Sequence, residues 1–208
     1  MILRVKFTLL TLAFFSISSV SQTVNFNWAN SVGSVSQDIG HSIASDHKGN
    51  VYIAGVFKDV VDFNPGPGTN NLSSKGGHDF FVQKFDSSGA FQWARSFGSR
   101  KDDFCYSVSL DSSGFLYLTG SFQDTIDFDP GPGMVNQIST GAQDIFIQKL
   151  NTTGDLVWVR TFGGSRNDVA LSVFTHHKTH LYLTGSFQET VDFDPGPGFA
   201  LGTSMGFD

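Results

Sequence analysis

The feature that most constrains the fold of this chain is a tandem repeat with a period of 65 residues. The stretches 116–133 and 181–198 are identical at 16 of 18 positions. Landmark residues recur at the same spacing along the chain: Trp28, Trp93 and Trp158; Asp38, Asp103 and Asp168; Gly55, Gly120 and Gly185; Pro65, Pro130 and Pro195. Such a chain folds as a series of similar units that pack on their neighbours.

Each unit has the sequence pattern of short β-strands. In the second unit, four runs are rich in aromatic and β-branched residues, at 106–111, 115–122, 144–150 and 156–162, and polar turns separate them. No stretch shows a sustained helical period of apolar residues. Four short antiparallel strands per unit predict an all-β fold made of β-propeller blades. A β-solenoid is the alternative, but its coils are shorter than 65 residues and rarely carry two hairpin turns.

The number of units is small for a closed propeller. Counted from the tryptophans, the units are 28–92, 93–157 and an incomplete 158–208. Propellers close with typically 4–8 blades, whereas this chain holds about three. The chain stops at Asp208, near the point where Asp79 and Asp144 open a strand. We therefore expect an incomplete propeller, either as a fragment or truncated reading frame or as one of several copies that form a ring.

The first 21 residues predict a secretory signal peptide. Arg4 and Lys6 precede an apolar run at 7–17, and small residues lead to an expected cleavage after Ser21. Eleven apolar residues are too few to span about 30 Å of hydrocarbon. We expect a secreted or cell-surface protein with no membrane span after signal removal.

The charge of the remaining chain excludes one class of partner. Residues 22–208 contain 11 basic and 19 acidic residues, a net charge of −8. Nucleic acids demand a basic face, so a nucleic-acid partner is not expected. The excess of acids is compatible with cation binding.

An acidic loop, Asp-Phe-Asp/Asn-Pro-Gly-Pro-Gly, recurs at 62–68, 127–133 and 192–198, and another acid precedes each copy by three residues. Calcium takes 6–8 oxygen ligands, so these acids are candidate ligands: Asp59, Asp62 and Asn64; Asp124, Asp127 and Asp129; Glu189, Asp192 and Asp194. The match to a calcium loop is partial, because Gly stands at the fifth position and no distal Glu follows. The other interpretation is structural: Pro and Gly shape a turn, Asp caps its N–H groups, and Phe packs under the blade.

The remaining reactive residue types have structural interpretations. Asp38, Asp103 and Asp168, like Asp79 and Asp144, recur once per unit, which favours bonds to loop or neighbouring-blade backbone over catalysis. Cys105 stands where the other units have Gly40 and Ala170, so we expect a buried packing residue. His176, His177 and His180 break the repeat and indicate either a transition-metal site or a divergent surface turn. Motifs for a catalytic nucleophile, a phosphate loop or a metalloprotease are absent from the sequence, so no catalytic residue is predicted.

The units resemble a known family, the bacterial β-propeller repeats called SBBP repeats, in the subgroup with the DFDPGPG insertion. The resemblance is carried by GNVYIAGVF at 49–57, DFFVQKFDSSG at 79–89, FQWARSFG at 91–98, FLYLTGSF at 115–122 and DIFIQKLNTTG at 144–154. It implies a secreted or surface-exposed bacterial protein, in a family that mostly lacks an assigned activity.

These observations favour a non-enzymatic protein with a binding or scaffolding role and a protein or glycan partner. No cofactor is certain, and calcium is the candidate stabilising ion. One alternative is a fragment of a propeller-type hydrolase or lyase that uses the channel face. The other is a truncated gene product without an independent function.

Overall fold

The computed structural model describes residues 25–176, 180–194 and 196–206. The predicted signal peptide, residues 1–21, lies outside the described residues. Within those ranges every regular element is a β-strand, sixteen in all. Across the same ranges, no helix reaches the length and hydrophobicity that crossing a bilayer requires.

The first unit is a four-stranded antiparallel sheet with a small hairpin in one connection. Its strands are β1 (Ile39–Ser45), β2 (Val51–Phe57), β3 (Val60–Asp62), β4 (Asn71–Ser73), β5 (Asp79–Phe85) and β6 (Phe91–Phe97). The sheet order is β1-β2-β5-β6, while β3 and β4 pair only with each other. The first acidic loop is therefore the connection of the β3–β4 hairpin.

The second unit repeats this plan, and the third shows its first half. The second contains β7 (Phe104–Leu110), β8 (Leu116–Phe122), β9 (Thr125–Asp127), β10 (Asn136–Ile138), β11 (Asp144–Leu150) and β12 (Leu156–Phe162). The third contains β13 (Val169–His176), β14 (His180–Ser186), β15 (Thr190–Asp192) and β16 (Leu201–Thr203). The order β7-β8-β11-β12 matches the first sheet, and β13 pairs with β14.

This architecture confirms the predicted fold class of four-stranded antiparallel blades. The predicted strands at 144–150 and 156–162 coincide with β11 and β12. Each sheet begins after the tryptophan from which its unit was counted, because that tryptophan lies on the fourth strand of the preceding sheet.

The turn between the first two strands of a unit is specified locally. In the first unit, the Asp46 carboxylate accepts hydrogen bonds from the N–H groups of Lys48 (2.9 Å) and Asn50 (3.0 Å). Gly49 then adopts a positive φ of 78°, which glycine tolerates without steric cost. The second unit uses Asp111 and Gly114 in the same way.

The core lies between the first two sheets and is built from stacked phenylalanines. The Phe80 ring lies 4.6 Å from Phe146 and 5.1 Å from Phe97, measured between centroids. All three side chains are buried. Burying one such side chain contributes about 1.5–3 kcal/mol, so this interface is the main attraction between the units.

The outer tryptophans join one unit to the next. The Trp93 indole N–H on β6 donates to the Thr152 carbonyl (3.2 Å), which lies in the β11–β12 turn of the second unit. The Trp93 ring leaves no room for a larger residue at Gly154, where a Cβ atom would lie 3.1 Å from the ring. Trp28 lies on Gly89 of the first unit in the same manner. The segment around Trp28 thus contacts the first sheet at the place where β6 contacts the second.

We predict unequal effects of the same substitution at two equivalent positions, Phe97 and Phe162. Phe97 is 1% exposed between two sheets, whereas Phe162 is half-buried because it faces the shorter third unit. Phe97→Ala should lower the free energy of unfolding by about 3–5 kcal/mol, and Phe162→Ala by clearly less. Urea unfolding of both variants checks this, and equal losses would contradict the assigned interfaces.

Candidate functional site

The acidic loops are closed by hydrogen bonds from their own backbone. In the second unit, Oδ1 of Asp127 accepts the N–H groups of Asp129 (3.0 Å) and Val135 (2.8 Å). Oδ1 of Asp129 accepts the N–H of Gly131 (2.8 Å). The same pattern holds for Asp62 and Asn64 in the first unit and for Asp192 and Asp194 in the third.

The phenylalanine of each of the first two loops anchors that loop to the sheet, whereas Phe193 of the third loop is 38% exposed. Phe128 is fully buried, and the buried Gln148 side chain on β11 donates to the Phe128 carbonyl (2.8 Å). In the first unit, Gln83 donates to the Phe63 carbonyl (2.7 Å). A buried carbonyl that found no donor would cost about 1–3 kcal/mol, so the glutamine fixes the loop in one position.

The acid that precedes each loop belongs to a different turn. Asp59, Asp124 and Glu189 have positive φ angles of 65°, 61° and 60°. Their carboxylates bond locally: Asp59 accepts from the Ser36 hydroxyl, Asp124 from the N–H of Thr125, and Glu189 from Ser165 and Arg166.

The structure therefore does not gather the predicted calcium ligands into one cluster. Over the ranges that the structure describes, no group of three or more His, Cys, Asp or Glu side chains is placed to share a metal ion. Backbone hydrogen bonds lower the pKa of Asp62 and Asp192, so both carboxylates are charged at neutral pH. Calcium binding stays a prediction.

The recurring Asp38, Asp103 and Asp168 fasten a loop to the end of the second strand. Asp103 accepts the N–H of Ser99 (2.6 Å) with one carboxylate oxygen and the N–H of Gln123 (2.8 Å) with the other. Asp168 bonds Gly164 and Gln188 in the same way. This is the backbone-bonding role that the repeat predicted.

A second buried carboxylate lies at the start of each third strand. Asp79 is 1% exposed and accepts the N–H of Lys75 (3.2 Å). A Cβ atom on Gly98 would lie 2.1 Å from its carboxyl carbon, which explains the glycine there. Burial raises the pKa of Asp79 to about 7 and that of Asp103 to about 6. Asp144 repeats the arrangement, and Asp208 lies outside the described residues.

The remaining candidates are one cysteine and three histidines. Cys105 is buried, as predicted, and burial raises its pKa to about 12, which disfavours the reactive thiolate at neutral pH. His176 and His180 are paired residues at the β13–β14 turn, whereas His177 lies outside the described residues.

The structure reveals one group that sequence reasoning missed. It lies at the bulges in the first strand of each unit, namely β1, β7 and β13. The register shifts between Gly40 and Ser42, between Cys105 and Ser107, and between Ala170 and Ser172. Each shift leaves one residue without a pairing partner: His41, Tyr106 and Leu171. The residues on both sides stay small or serine, whereas the bulged residue changes from unit to unit.

Four aromatic rings form a continuous row at these bulges, which we call the ring row: His41, Tyr106, Phe104 and His78. Successive ring centroids are 5.2, 5.8 and 6.0 Å apart, with interplanar angles of 24°, 8° and 27°. All four side chains are half-buried. His41 Nδ1 lies 2.8 Å from the Cys105 carbonyl oxygen, and His78 Nδ1 lies 3.0 Å from a carboxylate oxygen of Asp102. The row therefore joins two rings of the second unit, at its centre, to one ring of the first unit at each end.

Comparison with known proteins agrees with this architecture. Residues 92–121, which include the fourth strand of the first sheet and the first strands of the second, match the family described as SBBP, a β-propeller repeat. Residues 92–121 are thus similar to an SBBP β-propeller repeat. The matched stretch lies within the 65-residue period that the neighbouring units share.

Two curated proteins are similar to this chain over most of its length. An uncharacterized WD repeat-containing protein of Acanthamoeba polyphaga mimivirus is 26% identical over 204 residues, which cover 85% of this chain and 15% of that protein. The regulatory protein FlaEY of Caulobacter vibrioides is 26% identical over 155 residues, which cover 73% of this chain and 16% of that protein. The chain thus spans about a sixth of the length of these relatives.

The two interpretations of the acidic loops predict different responses to substitution of Asp127. If the carboxylate only caps the backbone, Asp127→Ala should cost about 1–2 kcal/mol of unfolding free energy, while Asp127→Asn should cost little because it keeps the Oδ1 acceptor. Thermal melts in millimolar calcium and in chelator distinguish them. Calcium binding requires a melting temperature that rises in calcium, and Asp127→Asn should reduce this rise because it alters one of the three candidate loops. A melting temperature indifferent to calcium would leave the loops as structural turns.

The buried carboxylates predict that the protein is more stable in mild acid than at neutral pH. Folded Asp79 and Asp103 hold a proton up to about pH 7 and pH 6, whereas the unfolded chain releases it near pH 4. Stability should therefore increase by about 4 kcal/mol as the pH falls from 7.5 to 5. Below about pH 4, carboxylates with lowered pKa values, such as Asp46, reverse the trend. Urea unfolding across this range should show a smaller gain for Asp79→Asn, and an equal gain would contradict the assignment.

Proposed function

We propose that this chain is a binding or scaffolding β-propeller protein that acts outside the cytoplasm, secreted or on the cell surface. The location rests on the predicted signal peptide. The binding role is supported by the hydrogen bonds of the repeated acids. The carboxylates of Asp38, Asp103 and Asp168 accept hydrogen bonds from backbone N–H groups, as do those of Asp79 and Asp144. Carboxylates that bind the backbone at each equivalent position have a structural role, which favours binding over catalysis as the function of the repeat.

The observation that carries the proposal is the ring row. Two of its members, His41 and Tyr106, are bulge positions whose residue changes from unit to unit, while the residues on both sides stay small. Variation at such positions is compatible with contact to a partner, because variable surface segments on a rigid scaffold often carry binding residues. A bulge is also a common device for re-aiming a side chain next to a functional site. We propose the ring row as the contact surface.

A glycan fits the chemistry of this surface. The half-buried rings offer apolar carbon surface against which the C–H face of a sugar ring can pack, and the histidines and Asp102 supply hydrogen-bonding groups for hydroxyls beside it. Asp102 is 51% exposed and its pKa is lowered by hydrogen bonds from His78, so it remains a charged acceptor. A protein partner is the other outcome that the experiment resolves.

An oligosaccharide array probed with the fluorescently labelled full chain tests this proposal. We expect binding to a subset of glycans, and we expect Tyr106→Ala to weaken it at least about tenfold because removing a central aromatic contact typically has such an effect. Isothermal titration with the best oligosaccharide gives the ratio of dissociation constants.

Tyr182→Ala is the matched control, because Tyr182 is 56% exposed and lies outside the ring row. Glycan binding that survives Tyr106→Ala, or that Tyr182→Ala removes equally, would refute the ring row as the site. Absence of glycan binding across the array would favour a protein partner. Turnover of an arrayed glycan into shorter products would instead support a hydrolase or lyase.

A further inference from the structure

The third sheet has an edge that the first two sheets do not expose. In those sheets the second strand pairs on both sides: β2 with β1 and β5, and β8 with β7 and β11. Among the described residues, β14 pairs only with β13. The exposure of the equivalent tyrosines differs accordingly: Tyr52 and Tyr117 are 0% and 4% exposed, whereas Tyr182 is 56% exposed.

A cavity of about 460 Å³ lies beside this edge. Its apolar lining includes Ile145, Phe162, Phe187 and Phe193. One repeat earlier, the same positions are Phe80, Phe97, Phe122 and Phe128. There the Phe146 ring of β11 lies 4.6 Å from Phe80 and 5.4 Å from Phe128. The cavity therefore has the lining that holds an aromatic ring from a third strand.

A backbone acceptor specifies a second residue of the incoming strand. Gln83 and Gln148, on the third strands of the first two sheets, donate to the carbonyls of Phe63 and Phe128. The equivalent carbonyl belongs to Phe193, and within the described part of the chain no side chain donates to it. A strand that brings a glutamine two residues after its aromatic residue would satisfy this carbonyl while the ring enters the cavity.

We infer that the open edge of β14 and the adjacent cavity bind an extended antiparallel strand from a further repeat of this 65-residue type. The strand has the pattern of β11, with an aromatic residue at the Phe146 position and glutamine at the Gln148 position. It adds to the edge by backbone hydrogen bonds, and the cavity selects its side chains. In the second sheet this pairing runs over seven residues, from Asp144 opposite Phe122 to Leu150 opposite Leu116.

The test adds this strand as a separate peptide to the full chain. The probe is a peptide with the sequence of residues 143–155, labelled with fluorescein at its C-terminus, and binding is followed by fluorescence anisotropy. We expect saturable binding, and we expect a peptide with serine at the Phe146 position to bind at least about tenfold more weakly because its ring is missing.

Two protein variants locate the site. Leu183→Glu places a charge in the cavity lining at a side chain that is already 38% exposed, so the fold should tolerate it, and peptide binding should weaken at least about tenfold. Ile138→Glu is the matched control, because Ile138 is 68% exposed on β10 and does not line the cavity. Its peptide affinity should be unchanged.

Hydrogen exchange gives a readout that does not depend on the variants. The peptide should slow amide exchange in β14 and leave β2, which already pairs on both sides, unchanged. The inference is overturned if the peptide does not bind, if a scrambled peptide binds equally well, if Leu183→Glu binds like the unsubstituted chain, or if protection appears away from β14.

Discussion

The face-to-face packing of successive sheets is the interaction on which the rest of this structure depends. Each sheet is apolar on both faces, so neither face is stable in water without a neighbour. The stack of Phe97, Phe80 and Phe146 meets this need between the first two units. The loops and the outer tryptophans are secondary to this contact, because they orient sheets that the aromatic core already holds together.

Buried polar side chains give this apolar packing a single geometry. Apolar faces alone tolerate sliding, whereas a buried hydrogen bond is satisfied at one position. Gln148 holds the acidic loop by the Phe128 carbonyl, and Asp103 joins a loop to the residue after β8. Some of these groups carry a cost, since burial raises the pKa of Asp79 to about 7 and makes the stability of the fold depend on pH. The buried polar groups therefore fix the geometry of the sheets and loops, and they lower the stability of the fold near neutral pH.

The strands, turns and buried residues could be predicted from the sequence because they recur with the 65-residue period. The strands at 144–150 and 156–162, the burial of Cys105 and the anchoring phenylalanines follow from periodicity and turn chemistry. The ring row was not predicted, because a bulge is a one-residue register shift that depends on the partner strand. One signal was present: Gly120 stands opposite the bulge, where a Cβ atom would lie 1.7 Å from the Phe104 carbonyl oxygen. A glycine that recurs inside a strand often marks a close backbone approach or a bulge. For the acidic loops the sequence could not choose between two roles, because the same residues can act as calcium ligands or as caps for backbone N–H groups.

The division between constant and variable positions has a physical origin. A residue that faces the next sheet must fit its packing, so Val108 and Val173 are both 5% exposed and chemically identical. A bulged residue has no pairing partner, so His41, Tyr106 and Leu171 can differ without disturbing the ladder. The first strand of each unit thus combines a fixed backbone with a bulged side chain that can change at little structural cost. A repeat with this property can acquire binding specificity one unit at a time, because each substitution at a bulge leaves the aromatic core intact.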